Sequence, residues 1–360
     1  MKESFYKSKK EKWFSGRRCC CVDIQMGKPL DFFSLKKDII ETFAQSLAKI
    51  RVSRKSLFRT ASTVPVGKCP VCGASARKSR FKLAVYGAQY HECGNCSHHF
   101  VVNRPTPSAL KDFYVKSAQY AATYTNKKTI DLRLKQVAIP KAKWAIEQYR
   151  KMYGCYPRSI LDVGAGAGHF VHACRQMGLS AEGIEVSQPS RNFCRKHFGF
   201  DLIDIDFIDA SKKMPKVEMI TFWGVIEHVS NPVAFLKEAF KMVSKPRGIV
   251  VAEVPRWNCI STLFQSVFVD SIVRHLDPLG HINCFTDQSL RRAFELGGFA
   301  PVSAWYFGMD AYELMMQFAY LLKDKSVLKL FLKHINALQS LIDGARLSDE
   351  MVFAGRPRRA

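Results

Sequence analysis

The chain has 360 residues, of which 47% are hydrophobic and 24% are charged, and its formal net charge is +24. This composition is typical of a globular protein of two or three domains. It contains no apolar run of the roughly 18 residues that a membrane-spanning helix requires, and its basic N-terminus lacks the apolar segment of a secretory signal. With no such signal, the twelve cysteines indicate a reducing compartment, which we expect to be the cytoplasm.

The positive charge is concentrated in the N-terminal part of the chain. Residues 1–150 contain 30 Lys or Arg and 10 Asp or Glu, whereas residues 151–360 contain 25 and 21. We interpret residues 1–28 as a disordered basic arm because they are polar and aperiodic. Residues 29–60 place apolar side chains at helical spacing, which predicts an amphipathic helix that packs on the body or lies on a membrane surface.

Two C-x-x-C pairs predict a zinc ribbon over residues 66–104, followed by a helical connector over residues 105–150. Four thiolates leave no open coordination position, so the expected Zn²⁺ is structural rather than catalytic. The expected ligands are two cysteine pairs separated by 20 residues, namely Cys69, Cys72, Cys93 and Cys96.

From residue 151 onward, strand-like apolar runs alternate with amphipathic helices, which predicts a parallel sheet covered on both faces. The strands are expected in SILDVGA, AEGIEV, VEMITFWGV, GIVVAEV and EMVFAG. Helical insertions are predicted at residues 256–280 and 311–342. The predicted fold class is therefore α/β, a Rossmann-like doubly wound sheet with a small N-terminal zinc ribbon and helical insertions over residues 151–360.

A glycine loop, LDVGAGAGHF, follows the first of these strands. Its glycines let the backbone approach a ligand closely, beside the free N–H groups of a helix N-terminus. The dinucleotide pattern G-x-G-x-x-G requires a third glycine where this chain has His169. An acid before the loop would disfavour a pyrophosphate, but it would tolerate the ammonium and sulfonium of S-adenosylmethionine. The candidate cofactor-binding residues in this loop are Asp162, Gly164, Gly166 and Gly168.

Glu185 ends the second strand, in GIEVS, 21 residues after Gly164. At this spacing an acid can accept hydrogen bonds from both ribose hydroxyls of a nucleotide-like ligand. The alternative is an exposed carboxylate at a strand end, with no ligand.

The succession LDVGAGAG, GIEVS, VEMITFWGVIEHVSNPVAFLKEAF and GIVVAEVP resembles class I S-adenosylmethionine-dependent methyltransferases over roughly residues 159–300. The resemblance implies that the glycines line the methionine part of the cofactor and that Glu185 holds its ribose. It also implies that Asp206 with Phe207, in DIDFID, contacts adenine, and that the segment from Trp223 to Ile226 passes near the cofactor.

The segment CGNCSHHFVVNRPTPSALKDFYVKSAQY resembles the zinc-ribbon leader of a subset of these methyltransferases. That subset is associated with sugar or surface-polysaccharide modification and has relatives among the sugar C-methyltransferases. The resemblance supports the architecture more than it identifies a substrate, because the functions within the subset vary.

Two histidines are candidates for a general base. His228 follows Glu227 at the carboxyl end of the fourth strand, where open α/β sheets bind ligands. His281, in LGHINCFT, is expected on the insertion that faces the cofactor. An imidazole suits proton removal from a hydroxyl or an acidic carbon near neutral pH. The alternatives are structural histidines, a divalent-metal pair of Glu227 with His228, and transfer by positioning alone.

The expected function is O- or C-methylation of a small-molecule or carbohydrate-linked acceptor. An RNA methyltransferase is the alternative that the basic zinc-ribbon region favours. A non-catalytic zinc-binding module with a degenerate methyltransferase fold is a third reading. The expected partner is a small-molecule or carbohydrate substrate, with RNA or a peripheral membrane contact as further possibilities.

Overall fold

A computed structural model of the chain describes residues 7–15, 18–28, 52, 58, 63–106, 108–109, 127–268, 274–278, 280–324 and 326–358. The amphipathic helix expected over 29–60 lies outside these residues except for Val52 and Phe58. Most of the connector's first half, including LKDFYV, also lies outside them.

The strands of the described residues are β1 Lys7–Ser15, β2 Arg18–Met26, β3 Thr63–Pro65, β4 Arg80–Val85, β5 Ala88–Glu92, β6 His99–Val101, β7 Asn103–Pro105, β8 Ser159–Val163, β9 Ser180–Ile184, β10 Met219–Trp223, β11 Ile249–Pro255, β12 Asn283–Cys284, β13 Phe299–Phe307 and β14 Glu350–Pro357. The α-helices are α1 Ile130–Arg133, α2 Ile139–Tyr153, α3 His169–Gln176, α4 Gln188–Phe198, α5 Ala210–Lys213, α6 Pro232–Met242, α7 Ile260–Val267, α8 Asp287–Leu296, α9 Asp310–Leu321, α10 Ser326–Leu332 and α11 Ile335–Gly344. Within this part of the chain, no helix has the length and apolar content needed to cross a bilayer.

The main sheet has eight strands in the order β1-β2-β13-β14-β11-β10-β8-β9. Strands β9, β8, β10 and β11 run parallel, whereas β14 runs antiparallel between β11 and β13. The predicted α/β fold is confirmed, but its sheet is mixed rather than purely parallel. The five strands expected from apolar runs correspond to β8, β9, β10, β11 and β14.

Two hydrophobic cores lie on opposite faces of this sheet. Along β11, Val250, Ala252 and Val254 face the core that α6 and α8 cover, while Ile249 and Val251 face the core that α2 and α3 cover. This alternation of side chains along a fully buried strand explains its continuous apolar sequence. The sheet is therefore covered on both faces, as the sequence predicts.

Residues 7–15 and 18–26 pair as the two antiparallel strands of a β-hairpin, so the prediction of a disordered basic arm is wrong for them. Strand β2 pairs in parallel with β13, with Ile24 opposite Ala304. Val22, Ile24 and Met26 are 0%, 1% and 7% exposed, because a strand turns every second side chain towards the same face. Burial of this apolar face offsets the entropy of ordering a segment whose other side chains are largely polar.

The cysteine module is attached to the body of the protein by a second sheet, of order β12-β6-β5-β4. Strand β12 comes from the insertion after β11, and Cys284 pairs with His99 of β6. Helix α7 lies in the same insertion, whereas α9, α10 and α11 form the second helical insertion before β14. The ribbon therefore lies against the loop that carries His281.

Candidate active site

The glycine loop joins the carboxyl end of β8 to the start of α3. Gly164, Gly166 and Gly168 all have positive φ, from 54° to 82°, a conformation that residues with a Cβ rarely adopt. A Cβ on Gly164 would lie 2.7 Å from Val225, and one on Gly168 would lie 2.5 Å from the Cys194 sulfur. A Cβ on Gly166 would enter open space. The ends of the loop are therefore fixed by packing, whereas its middle leaves room for a ligand.

Glu185, directly after β9, contacts this loop. Its carboxylate accepts hydrogen bonds from the backbone N–H of Gly166 at 2.8 Å and of Ser187 at 2.7 Å. Burial raises the pKa of Glu185 above its ordinary value, although these N–H groups oppose the shift. The candidate ribose-binding acid is thus oriented by the loop that we expect to contact the cofactor.

Asp162 is buried at the end of β8, with 2% of its surface exposed. Thr221 of β10 donates a hydrogen bond to its carboxyl group at 2.7 Å. Burial raises the pKa of Asp162 to about 7, while Thr221 and the positive charge of Lys141 oppose the shift. Asp162 therefore keeps its proton to a higher pH than an exposed aspartate does.

Lys141 of α2 pairs with both carboxylate oxygens of Glu253, at 2.6 Å and 2.8 Å. Its ammonium lies 5.0 Å from the centroid of the Trp223 ring, at the carboxyl end of β10. The indole nitrogen of Trp223 is buried and has no hydrogen-bond partner among the described residues. The predicted cofactor neighbour Trp223 thus lies beside an ion pair that sequence analysis missed.

The two residues predicted to contact adenine lie in one 3₁₀ turn and have different surroundings. The Asp206 carboxylate accepts a hydrogen bond from the Ile208 backbone N–H at 3.0 Å and caps that turn. Phe207 is 3% exposed, and its ring packs against Phe222 and Phe235. The Phe207 ring is therefore a core group, and the exposed apolar side chain of this turn is Ile208, with 39% exposed.

His228 and His281 lie together at the carboxyl edge of the sheet, with ring centroids 5.0 Å apart. Nδ1 of His228 lies 2.5 Å from the carbonyl oxygen of Gly280, and Nδ1 of His281 lies 2.9 Å from that of His275. A carbonyl oxygen only accepts, so each Nδ1 carries the proton and donates it. On each ring, Nε2 is therefore the nitrogen able to take up a further proton.

Glu227 completes a cluster with the two histidines. One of its carboxylate oxygens lies 3.5 Å from Nε2 of His228, and one ligand atom of each residue lies within 4.8 Å of the others. Burial, followed by the nearby His281, lowers the pKa of His228 to about 3. Burial also raises the pKa of Glu227 well above its ordinary value. At rest, burial thus favours a neutral imidazole beside a protonated carboxyl group.

A family model described as a methyltransferase domain matches residues 131–304, which include the glycine loop, Glu185 and both histidines. These residues therefore resemble a methyltransferase domain. The hairpin and the cysteine module lie outside the matched residues.

Two curated relatives of the methyltransferase domain are ubiquinone biosynthesis O-methyltransferases. The mitochondrial protein from Schizosaccharomyces pombe is 25% identical over 156 residues, which cover 41% of this chain and 55% of that protein. The protein from Paraburkholderia phytofirmans is 26% identical over 147 residues, which cover 39% of this chain and 61% of that protein. The chain therefore spans between about half and three-fifths of the length of these relatives.

Among solved structures, magnesium protoporphyrin IX methyltransferase from Synechocystis PCC 6803 overlays on 70% of this chain and 99% of its own. Its TM-score is 0.45 at 9% sequence identity. A methyltransferase from Archaeoglobus fulgidus overlays on 64% of this chain and 100% of its own, with a TM-score of 0.41 and 17% identity.

The four cysteines of the ribbon converge in front of the methyltransferase domain. The sulfurs of Cys69 and Cys96 are 3.7 Å apart, those of Cys72 and Cys93 are 3.5 Å apart, and all four lie within 4.8 Å of one another. A tetrahedral Zn²⁺ site with bonds of about 2.3 Å separates its sulfurs by about 3.8 Å. The arrangement and the donor set therefore fit zinc.

The ribbon is hydrogen-bonded to the loops that carry the histidine cluster. The Tyr90 hydroxyl donates to the carbonyl oxygen of His281 at 2.7 Å. The Asn283 amide nitrogen donates to the carbonyl oxygen of Glu227 at 3.2 Å, while its Oδ1 accepts from His98 and from Arg104, each at 3.1 Å. The ribbon therefore helps to hold the backbone of both loops in place.

Sequence analysis missed the residues that support the site from other elements, because each looks ordinary in its own segment. Only polar residues within apolar runs provided a signal. These are Thr221 in VEMITFW, Glu253 in GIVVAEVP and Asn283 in GHINCF.

Proposed function

We propose that the protein transfers a methyl group from S-adenosylmethionine to an oxygen, or to an acidic carbon, of a small-molecule or carbohydrate-linked acceptor. The observation that carries the proposal is the cluster of Glu227, His228 and His281 beside the glycine loop. Val225, two residues before Glu227, is the side chain that a Cβ on Gly164 would meet. Nε2 of His228 therefore lies close to the expected position of the cofactor, where burial lowers the pKa of the imidazole to about 3 and makes it a weak base.

The chain's own residues would bind the cofactor as follows. The backbone around Gly166 has open space for the methionine part, and the Glu185 carboxylate is oriented to accept from ribose hydroxyls. Val186 and Ile208, which are 71% and 39% exposed, are apolar side chains suited to an adenine ring. When bound, S-adenosylmethionine supplies an electrophilic methyl group.

His228 would act as the general base. Its Nε2 would take up the proton of the acceptor hydroxyl and later release it to solvent. Nδ1 of His228 already donates its proton to the carbonyl oxygen of Gly280. This hydrogen bond can therefore stay in place while Nε2 takes up a proton. The Glu227 carboxyl group lies 3.5 Å from that nitrogen and would help to orient the imidazole.

Support for a small acceptor comes from the relatives, which are named as ubiquinone biosynthesis O-methyltransferases. Support for a carbohydrate-linked acceptor comes from the resemblance of the ribbon leader to sugar-modifying enzymes. The zinc ion would be structural, because four thiolates complete a tetrahedral site. It would hold the ribbon in the shape that places Tyr90 against the His281 loop.

The test is transfer of a radiolabelled methyl group from S-adenosylmethionine to pooled nucleotide sugars, quinol lipids and RNA. We expect label in a small-molecule pool, and we expect His228→Asn to abolish it while His334→Gln leaves it intact. Asn keeps an N–H donor near the position of Nδ1 but has no equivalent of Nε2, and His334 is exposed. Label in RNA alone would favour the RNA alternative. Absence of label, together with no binding of S-adenosylhomocysteine, would favour a non-catalytic module.

A further inference from the structure

Lys28 follows the hairpin and lies at the same edge of the main sheet as the methyltransferase site. Strand β2 runs parallel to β13, and the Trp305 indole N–H donates to the carbonyl oxygen of Gly27 at 2.7 Å. Strand β13 is parallel to β11, because both pair antiparallel with β14. The chain therefore leaves β2 at the carboxyl edge of the sheet, where β10 and β11 also end.

The ammonium of Lys28 is buried beside two aromatic rings. The residue is 8% exposed, and its Nζ lies 4.6 Å from the centroid of the Phe307 ring and 5.6 Å from that of Trp305. Among the described residues, this nitrogen forms no hydrogen bond and no ion pair. A buried ammonium without a hydrogen-bonded anion is costly, so such a group either loses its proton more readily or pairs with an anion that binds there.

The charges that face Lys28 do not compensate for its burial. Lys141 of α2 opposes its charge, whereas Glu253 of β11 and Glu350 of β14 favour it. Burial is the largest influence and lowers the pKa of Lys28 to about 7. Glu253 is already paired with Lys141 at 2.6 Å, which weakens its hold on Lys28.

Lys141, one of the charges that face Lys28, also interacts with residues of the methyltransferase site. Lys141 lies 5.0 Å from the Trp223 ring, and its charge also influences Asp162 before the glycine loop and Glu227 in the histidine cluster. Lys28 therefore belongs to a group of mutually interacting charges at this edge of the sheet, which also includes Lys141 and Glu253.

We propose that Lys28, supplied by the N-terminal hairpin, binds an oxyanion of the methyl acceptor, either a carboxylate or a phosphate. The inference rests on the proposed function, because the ligand is the acceptor of that reaction. It makes the hairpin part of the acceptor site, although the hairpin lies outside the residues matched as the methyltransferase domain. It also restricts the acceptor to molecules that carry a negative charge.

The test uses the full chain saturated with S-adenosylhomocysteine and titrated with sodium sulfate or sodium benzoate, with sodium chloride as the ionic-strength reference. Tryptophan fluorescence reports binding, because the Lys28 ammonium lies over Trp305. Sulfate stands in for a phosphate and benzoate for a carboxylate, and neither changes its charge between about pH 6 and about pH 9. The matched control variant is Lys12→Met, because Lys12 is an exposed lysine of the same hairpin.

We expect saturable binding of at least one of the two anions at about pH 6, weakened about tenfold or more by Lys28→Met and unchanged by Lys12→Met. Binding by wild type should weaken about tenfold or more at about pH 9, because burial lowers the pKa of Lys28 to about 7. Lys28→Met keeps Lys141, Glu227, Glu253 and Glu350, so it shows what those groups contribute to the pH dependence. A response that matches sodium chloride, or that Lys28→Met leaves unaltered, would overturn the proposal.

Thermal unfolding without added anions separates a ligand-binding role from a structural one. If Lys28 serves a ligand, Lys28→Met removes an uncompensated buried charge and the Tm stays equal or rises. A clear fall in Tm, with anion binding intact, would instead make Lys28 a structural cation and refute the proposal. Failure of the proposed function would look different, because S-adenosylhomocysteine would then not bind.

Discussion

Replacing Glu185 with alanine should weaken the binding of S-adenosylhomocysteine about ten- to a hundredfold. The carboxylate accepts backbone hydrogen bonds from the glycine loop at 2.8 Å and from Ser187 at 2.7 Å. Ribose hydroxyls would add bonds of the same charge-assisted class. Loss of one such bond costs about 1.5–3 kcal/mol, which corresponds to that change in Kd. Isothermal titration calorimetry on the full chain at neutral pH measures it directly.

The matched control is Glu182→Ala, because Glu182 lies on the same strand, β9, but is exposed. Binding by Glu182→Ala should equal that of wild type. Burial raises the pKa of Glu185. As the solution is acidified, the affinity of wild type should therefore begin to fall at a higher pH than the ordinary pKa of a glutamate would predict. Unchanged affinity in Glu185→Ala, or an equal loss in Glu182→Ala, would refute the assignment of Glu185 to the cofactor.

Three further predictions concern the base, the zinc and the buried acid. His228→Asn should lower methyl transfer about a hundredfold or more at saturating cofactor, because it removes the base nitrogen, yet leave S-adenosylhomocysteine binding intact; equal losses of both would indicate a folding defect. The full chain should contain about one zinc per molecule by elemental analysis, and Cys93→Ser should lose it; wild type without zinc would contradict the ribbon assignment. Burial raises the pKa of Asp162 to about 7, so the folded chain holds a proton that the unfolded chain releases, and the free energy of unfolding falls as pH rises from about 4 to about 7. Asp162→Asn should reduce this pH dependence of the free energy of unfolding, which urea unfolding at about pH 4 and about pH 7 measures. An unchanged pH dependence would mean that other groups cause it.

The elements with a clear apolar periodicity and clear capping or terminating residues could be predicted from the sequence. Strands β8, β9 and β10 are apolar runs that are followed by a glycine or an acid, and Asn231 caps α6 through a hydrogen bond from Ala234 at 3.0 Å. The same local rules identified the glycine loop and the cysteine pairs, because their chemistry depends on spacing within a few residues.

Sequence analysis missed the hairpin because residues 1–28 are strongly basic, and this composition was given more weight than the alternation of apolar and polar residues within them. Val22, Ile24 and Met26 alternate with polar residues, which is the signature of a half-buried strand. That signal spans only five residues and follows three consecutive cysteines in a strongly basic segment. Its partner strand β13 lies far along the chain, so no local rule could reveal the pairing.

The composition of the site could be predicted only in part, for a related reason. Local sequence identifies His228 and His281 as candidates. The 5.0 Å distance between their ring centroids depends on the ribbon and on β12, which position the two loops. Lys28, Lys141 and Glu253 come from three elements that meet at one edge of the sheet. Such meetings follow from strand order, which local sequence does not encode.

Strand β1 lies at the edge of the eight-stranded main sheet, and its lysines have a consequence for the chain while it is being synthesised. Trp305 and Gly27, which hydrogen-bond to each other, are 278 residues apart, so the hairpin cannot dock until most of the chain has been made. Until then it is an unpaired segment with strand-forming residues. Exposed lysines along a strand edge, here Lys9, Lys10 and Lys12, disfavour pairing with other chains. We therefore expect the lysines of β1 to disfavour aggregation of the nascent chain during the interval before β13 is available.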